Sequence, residues 1–292
     1  MRSHVVDLGG PVHFVDFGGT GPQMVLVHGL GGSALNWLAV GESLAKRARV
    51  RALDLAGFGR TPPAGRATTV PANHDLLDRF LDAVVGEPAI LVGNSMGGLI
   101  TMMEAASNPG RVSALVLAAP AQPTPRGTRI DRRVLAAFAL YSLPWVAPWY
   151  LRRRATRLGA EGLVRQMLSL CCVDPARVPE PVRQAHVALA LERMEQMPWA
   201  TASLLEAARS ILAVIRRPAT YAAMVAKITA PTLLIQGTGD RLVPLAASER
   251  LARARPDWRL DVFAEVGHIP QLEAPERFTD SVTRWLAATS PS

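Results

Sequence analysis

Gly93-Asn94-Ser95-Met96-Gly97 stands directly after the apolar run Ala89-Ile90-Leu91-Val92 and directly before a helix-like stretch from Gly98 to Ala106, and it constrains the fold more than any other segment. A serine between two glycines, at the junction of a buried strand and a helix, reads as a nucleophile elbow. The glycines leave room for a strained turn that thrusts the serine hydroxyl into a pocket. The helix N-terminus beneath it offers unpaired N–H groups that can bind a developing oxyanion. The five-residue pattern alone is a weak signal; the strand before it and the helix after it give it weight.

A serine hydroxyl is a poor nucleophile near neutral pH, so an elbow of this kind calls for a general base and a third group that orients the base. The run Thr232-Leu233-Leu234-Ile235-Gln236 looks like a buried strand and leads into Gly237-Thr238-Gly239-Asp240, which leaves an acid at the strand's C-terminal end. Asp240 is the candidate orienting acid. A further strand-like segment, Arg259 to Phe263, leads to a loop ending in Gly267-His268 before Pro270, and His268 is the candidate base. The strand Leu115-Val116-Leu117-Ala118 is followed by Ala119-Pro120-Ala121-Gln122, with no carboxylate to rival Asp240. Asp54 follows a strand but belongs to a turn pattern, Asp-x-x-Gly-x-Gly, and is read as structural. His28 is read the same way, as a support for the loop that follows it.

The order Ser95, Asp240, His268 is the one associated with α/β-hydrolases. Over nearly its whole length the chain resembles that superfamily, at His28-Gly29-Leu30-Gly31-Gly32, at Asp54 to Arg60, at Gly93 to Gly98, at Gly237 to Asp240 and at Gly267-His268. The resemblance implies an oxyanion hole built from the backbone N–H groups of Leu30 and Met96, with Gly31 a substitute for Leu30. It also implies an α/β fold, with a mainly parallel central sheet, helices on both faces and an inserted helical cap. On that reading residues 1–120 form the first part of the core, 121–230 the cap or lid, and 231–292 the second part of the core. The alternation of strands and helices supports it independently: a hairpin over 3–17, strands at 23–27, 49–54, 89–93 and 113–118, and helices near 34–47 and 70–85.

A serine at the elbow excludes the alkyl-ester chemistry that superfamily members with an aspartate there perform. What the resemblance then implies is a serine hydrolase, carboxylesterase or lipase-like, that cleaves small to medium hydrophobic carboxylic esters through an acyl-enzyme. The alternatives are a carbon–carbon bond hydrolase of meta-cleavage products, a thioesterase, or a non-catalytic ligand-binding protein on the same fold. The carbon–carbon hydrolases tend to carry a Gly-Pro-Gly loop where this chain has Gly31-Gly32-Ser33, and a tryptophan where it has Ile269; both departures lower that alternative. Gly29, Gly31, Trp145 and Ile269 are candidate lining residues of a substrate pocket.

Between residues 121 and 230 the chain carries 16 Lys and Arg against 7 Asp and Glu, a net of +9, while the remaining residues carry 16 against 17. The basic character therefore resides in the expected cap. Arg152-Arg153-Arg154, following Trp145, Trp149 and Tyr150, has the composition of a segment that lies on an anionic membrane surface. Arginines near the pocket mouth that receive an anionic substrate, such as an acyl-CoA or a carboxylated ester, are a second reading, and a solvated face is a third, since arginine dominates the basic residues throughout. No recognised binding motif accompanies the charge, so nucleic acid is not expected as a partner. The N-terminal residues lack the apolar core of a signal peptide and no apolar run is long enough to span a bilayer, so the expected location is cytoplasmic, with peripheral membrane association as an addition. Cys171 and Cys172 are neighbours and are read as reduced. No cofactor and no metal are expected, and oligomeric state is not encoded in any motif.

Overall fold

The computed structural model describes residues 1–289. An antiparallel hairpin opens the chain, β1 (Arg2–Asp7) and β2 (Pro11–Gly18), paired from Arg2 opposite Asp16 to Asp7 opposite Pro11. Then follow β3 (Gln23–Val27), α1 (Leu38–Leu44), β4 (Arg49–Leu53), α2 (Val70–Phe80), β5 (Ala89–Asn94), α3 (Met96–Ser107) and β6 (Val112–Ala118). Five helices intervene: α4 (Arg132–Tyr141), α5 (Val146–Cys171), α6 (Glu180–Gln196), α7 (Ala200–Ile215) and α8 (Pro218–Ala226). The chain closes with β7 (Thr232–Gly237), α9 (Leu245–Ala254), β8 (Arg259–Phe263), the single turn α10 (Pro270–Glu273) and α11 (Pro275–Thr289).

The eight strands form one sheet in the order β1-β2-β4-β3-β5-β6-β7-β8, with every pair from β4 to β8 parallel. Parallel strands covered on both faces must be apolar on both faces, and β3, β5 and β7 are buried at every residue. Edge strand β1 is exposed at nearly every position. On one face Leu76, Leu77 and Phe80 of α2 and Leu99 of α3 pack on the sheet. On the other, Val40 and Leu44 of α1 meet Phe278, Val282 and Trp285 of α11. From β3 the chain steps outward to β4 and then returns to the far side of β3 for β5. Strand order reverses there, and the crevice beyond the C-terminal ends of β3 and β5 is where such sheets bind ligands.

Two helices differ from expectation. The one expected over 34–47 is split into a 3₁₀ turn, Ala34–Trp37, and α1, because Ser33 caps the turn: its hydroxyl accepts the Leu35 amide and its own amide donates to Asn36 Oδ1. The one expected over 70–85 is α-helical only to Phe80. It then widens into a π turn over Leu81–Val85 that Gly86 closes at φ 75°. Within α5 a further break falls at Gly159, whose φ of 63° and ψ of 179° are not helical.

Candidate active site

Ser95 lies between β5 and α3 with φ 54° and ψ −115°, a conformation that costs a non-glycine residue about 1–3 kcal/mol. Its neighbours hold it there. The Ser95 amide donates to Ala118 O at 3.0 Å, and its carbonyl accepts from Leu99 N at 3.1 Å and from Ala121 N at 2.9 Å. Its side chain does not cap α3, and the residue is half-buried while every neighbour from Ala89 to Ile100 is buried. The two glycines serve close approach rather than unusual backbone angles. A Cβ on Gly93 would meet Thr101 Oγ1 at 2.5 Å, and one on Gly97 would collide with the carbonyl oxygens of Val27 and His28.

His268 and Asp240 come together at the ends of the last two strands, with His268 Nδ1 and Asp240 Oδ2 2.8 Å apart. Four donors converge on the buried Asp240 carboxylate. Oδ1 accepts the amides of Leu242 and Val243 at 2.8 and 2.9 Å, and Oδ2 accepts Gln236 Nε2 at 2.8 Å besides the His268 ring. Gln236 is fixed in turn, since its Oε1 accepts the Ser248 hydroxyl at 2.7 Å. The His268 backbone is tied from two sides: its amide donates to Cys171 O at 2.6 Å, and its carbonyl accepts Asn94 Nδ2 at 3.0 Å. Asn94 precedes Ser95, so the elbow and the histidine loop are pinned to one another. Among the described residues no hydrogen bond joins the Ser95 hydroxyl to the His268 ring. Such bonds are often loose without substrate and tighten when it binds.

The loop after β3 reaches over the serine, where a Cβ on Gly29 would lie 3.1 Å from Ser95 Cβ. Met96 opens α3, so its amide has no carbonyl one turn back in the helix to bind. Two buried side chains hold the loop. Asp54 accepts the Ala34 amide at 2.6 Å, the Arg60 amide at 2.8 Å and His13 Nδ1 at 2.7 Å. Burial works against its charge, but the bond from His13 and the nearby histidines outweigh it, and the carboxyl sits below its usual range. His28 Nε2 accepts the Leu55 amide at 3.1 Å while Nδ1 faces Gly29 O at 2.7 Å, an arrangement that fits the neutral ring. Burial pushes the His28 pKa below 6.5 against the opposing pull of Asp54.

A histidine whose folded pKa is depressed contributes stability that is fully present above its unfolded value and is lost as pH falls toward the folded value. The difference in melting temperature between the wild type and His28→Gln should therefore shrink on going from about pH 7.5 to about pH 5.5. Thermal melts across that range check it; a difference that grows on acidification would refute the neutral-ring assignment.

Of the expected pocket residues, Gly29 faces Ser95. Gly31, at φ 73°, meets the insertion: a Cβ there would lie 3.4 Å from Leu204 Cδ1, and its carbonyl accepts Arg193 Nη1 at 3.2 Å. Ile269 is buried among Val164, Leu168 and Leu272, in the seam between α5 and α10. Trp145 departs from expectation. It is 88% exposed at the bend before α5, because no element of the core rises to cover that bend. The supports Gln236, Glu273 and Arg193 carry no sequence signal of their own. Glu273 is buried, accepting the Gly267 amide at 2.6 Å and the Asp174 amide at 2.7 Å, so it fastens the histidine loop to the end of α5. Among the described residues no group of three or more His, Cys, Asp or Glu is placed to hold a metal ion.

Residues 22–275 match the family described as the alpha/beta hydrolase fold. A 2-hydroxy-6-oxononadienedioate/2-hydroxy-6-oxononatrienedioate hydrolase from Burkholderia vietnamiensis is 30% identical, over 94% of this chain and 90% of that protein. A pimeloyl-[acyl-carrier protein] methyl ester esterase from Aeromonas hydrophila is 26% identical, over 92% of this chain and 96% of that protein. Among solved structures, a meta-cleavage product hydrolase from Pseudomonas fluorescens IP01 has a TM-score of 0.78 at 24% identity, covering 99% of this chain and 98% of that one, a likeness of fold.

Proposed function

We propose that this chain, which belongs to the α/β-hydrolase fold family, is a serine carboxylesterase that cleaves small to medium hydrophobic esters. The observation that carries the reading is Ser95 held at φ 54° on the elbow, with its hydroxyl uncommitted and its neighbour Asn94 bonded to the backbone of a histidine whose ring is bonded to a carboxylate. In the proposed reaction Ser95 Oγ attacks the carbonyl carbon as its proton passes to His268 Nε2. The resulting oxyanion is held by the amides of Leu30 and Met96. Collapse breaks the bond to the leaving alkoxide, which takes the proton from His268, and water then releases the acid by the reverse path. Asp240 holds the ring with Nδ1 protonated, so that Nε2 is free to accept.

Turnover of p-nitrophenyl esters from acetate to palmitate tests this, with Ser95→Ala as the control. The wild type should act with an optimum at short to medium chains and the variant should not. Activity shared equally by both proteins, or absent from the wild type, would refute it.

One observation favours a second reading. Arg193 of α6 donates to Gly31 O beside the proposed oxyanion loop and forms no ion pair among the described residues, which leaves guanidinium donors for a substrate carboxylate. A carbon–carbon hydrolase of a dienone dioate, the substrate class in the name of the Burkholderia relative, would use such a group. Inclusion of that substrate in the same panel decides between the two: turnover of the dioate without turnover of simple esters selects the second reading.

A further inference from the structure

The bend between α4 and α5 turns the chain by 119° and exposes what most proteins bury. Of the twelve large apolar side chains exposed among the described residues, six lie between 135 and 150: Leu135, Leu143, Trp145, Val146, Trp149 and Tyr150. Along this segment of the chain the charge is of one sign. From Arg132 to Ala160 the chain has six arginines and no Asp or Glu. Just beyond the bend, Trp149, Arg152, Arg153, Thr156 and Arg157 line a single open depression, with the Arg153 guanidinium 5.9 Å from the centre of the Trp149 ring.

We propose that this bend is a docking surface for an anionic phospholipid bilayer. The aromatic rings enter at headgroup depth and the arginines receive lipid phosphates. Among the described residues no single helix is long and apolar enough to cross a membrane. The helices α4 and α5 have the length and composition only as a pair, and the 119° bend between them, followed by Arg152, Arg153, Arg154 and Arg157, fits a surface that lies on the bilayer. Three features select lipid over other occupants. A second copy of the chain would bring arginines against arginines. A nucleic acid would satisfy the arginines but leave Leu135, Leu143 and Val146 facing water, whereas an acyl phase takes them. Trp145 and Trp149 have the amphipathic form that concentrates at membrane interfaces. Leu205 of α7 packs under the bend with Ala147 and Leu151, and its neighbour Leu204 approaches Gly31, so the surface is on the same insertion that meets the proposed oxyanion loop.

The test is co-sedimentation with vesicles of phosphatidylcholine containing phosphatidylglycerol, and with pure phosphatidylcholine. The wild type should bind the first and not the second, and should release at high salt. Each arginine near such a surface raises partitioning about fivefold, so Arg152→Ala/Arg153→Ala/Arg157→Ala together should weaken binding on the order of 100-fold. Trp145→Ala/Trp149→Ala should weaken it with the charge intact. The arginine variant should keep wild-type turnover of p-nitrophenyl acetate, which verifies its fold. Ser95→Ala should bind vesicles as the wild type does, so failure of the ester reading and failure of this proposal are separate results. The proposal is overturned if the wild type ignores anionic vesicles, or if both surface variants bind undiminished. It is also overturned if the tryptophan pair instead holds a dimer in vesicle-free sedimentation equilibrium, or if a single-stranded oligonucleotide displaces the vesicles.

Discussion

Replacing His268 by alanine should lower kcat for a p-nitrophenyl ester by roughly 10⁴- to 10⁶-fold, Ser95→Ala should do the same, and the double variant should be little worse than either. The non-additivity is the informative part. If Ser95 is nucleophilic only because His268 takes its proton, removing one disables the other, and the second substitution has nothing left to remove. On the proposed mechanism, residual rate over water then comes from the amides of Leu30 and Met96 and from substrate binding, which neither substitution touches. The Ser95 side chain makes no bond that supports the fold, and the His268 side chain makes one, to Asp240, whose carboxylate keeps three other donors without it. Ser95 uses backbone groups to hold the elbow, and His268 is fixed through its amide to Cys171 O and its carbonyl to Asn94. The variants should therefore melt near the wild type. Steady-state kinetics on the four proteins of the cycle check this. Losses that multiply in the double variant would mean that Ser95 and His268 act independently.

The parts of this arrangement that could be read before the fold was seen are those with a local signature. The runs at β3, β5, β6 and β7 are apolar at consecutive positions, and strands of a covered parallel sheet must be. Ser95, Asp240 and His268 each end such a run or the loop after it, so their positions on the sheet follow from chain order. Gln236 and Glu273 lacked that kind of signature. Gln236 is one polar residue inside an apolar strand, and only the fold shows that Ser248 and Asp240 converge on it. Glu273 looks like a surface acid on a short polar segment. Its partners, Gly267 and Asp174, are brought to it by the loop and by the end of α5, 99 residues away in the second case. Trp145 shows the opposite failure. Its apolar character suggested a pocket, but composition does not encode which face of an inserted helix meets the core, and at the bend the aromatic face is turned to solvent.

Gly97→Ala should destabilise the protein by at least about 3 kcal/mol, or prevent folding, through a single added methyl group. Gly97 has no left-handed backbone angle, so conformational freedom does not explain it. The reason is contact: the new Cβ would fall on the carbonyl oxygens of Val27 and His28, at the end of β3. A side chain could swing aside, but those oxygens belong to the central strand of the sheet and to the residue that begins the loop over Ser95. Relief would require α3 to retreat from β3, and this retreat would carry the Met96 amide away from the loop after β3, with which it is proposed to share the oxyanion. Stability and turnover should thus fall together. Gly110→Ala is the matched control, because a Cβ there meets nothing within 4 Å, and it should change stability by less than about 0.5 kcal/mol. Urea denaturation of the two variants beside the wild type measures both effects. A folded and active Gly97→Ala would mean that close approach of α3 to β3 is not what requires glycine in the elbow, and the strained serine between them would then need another account.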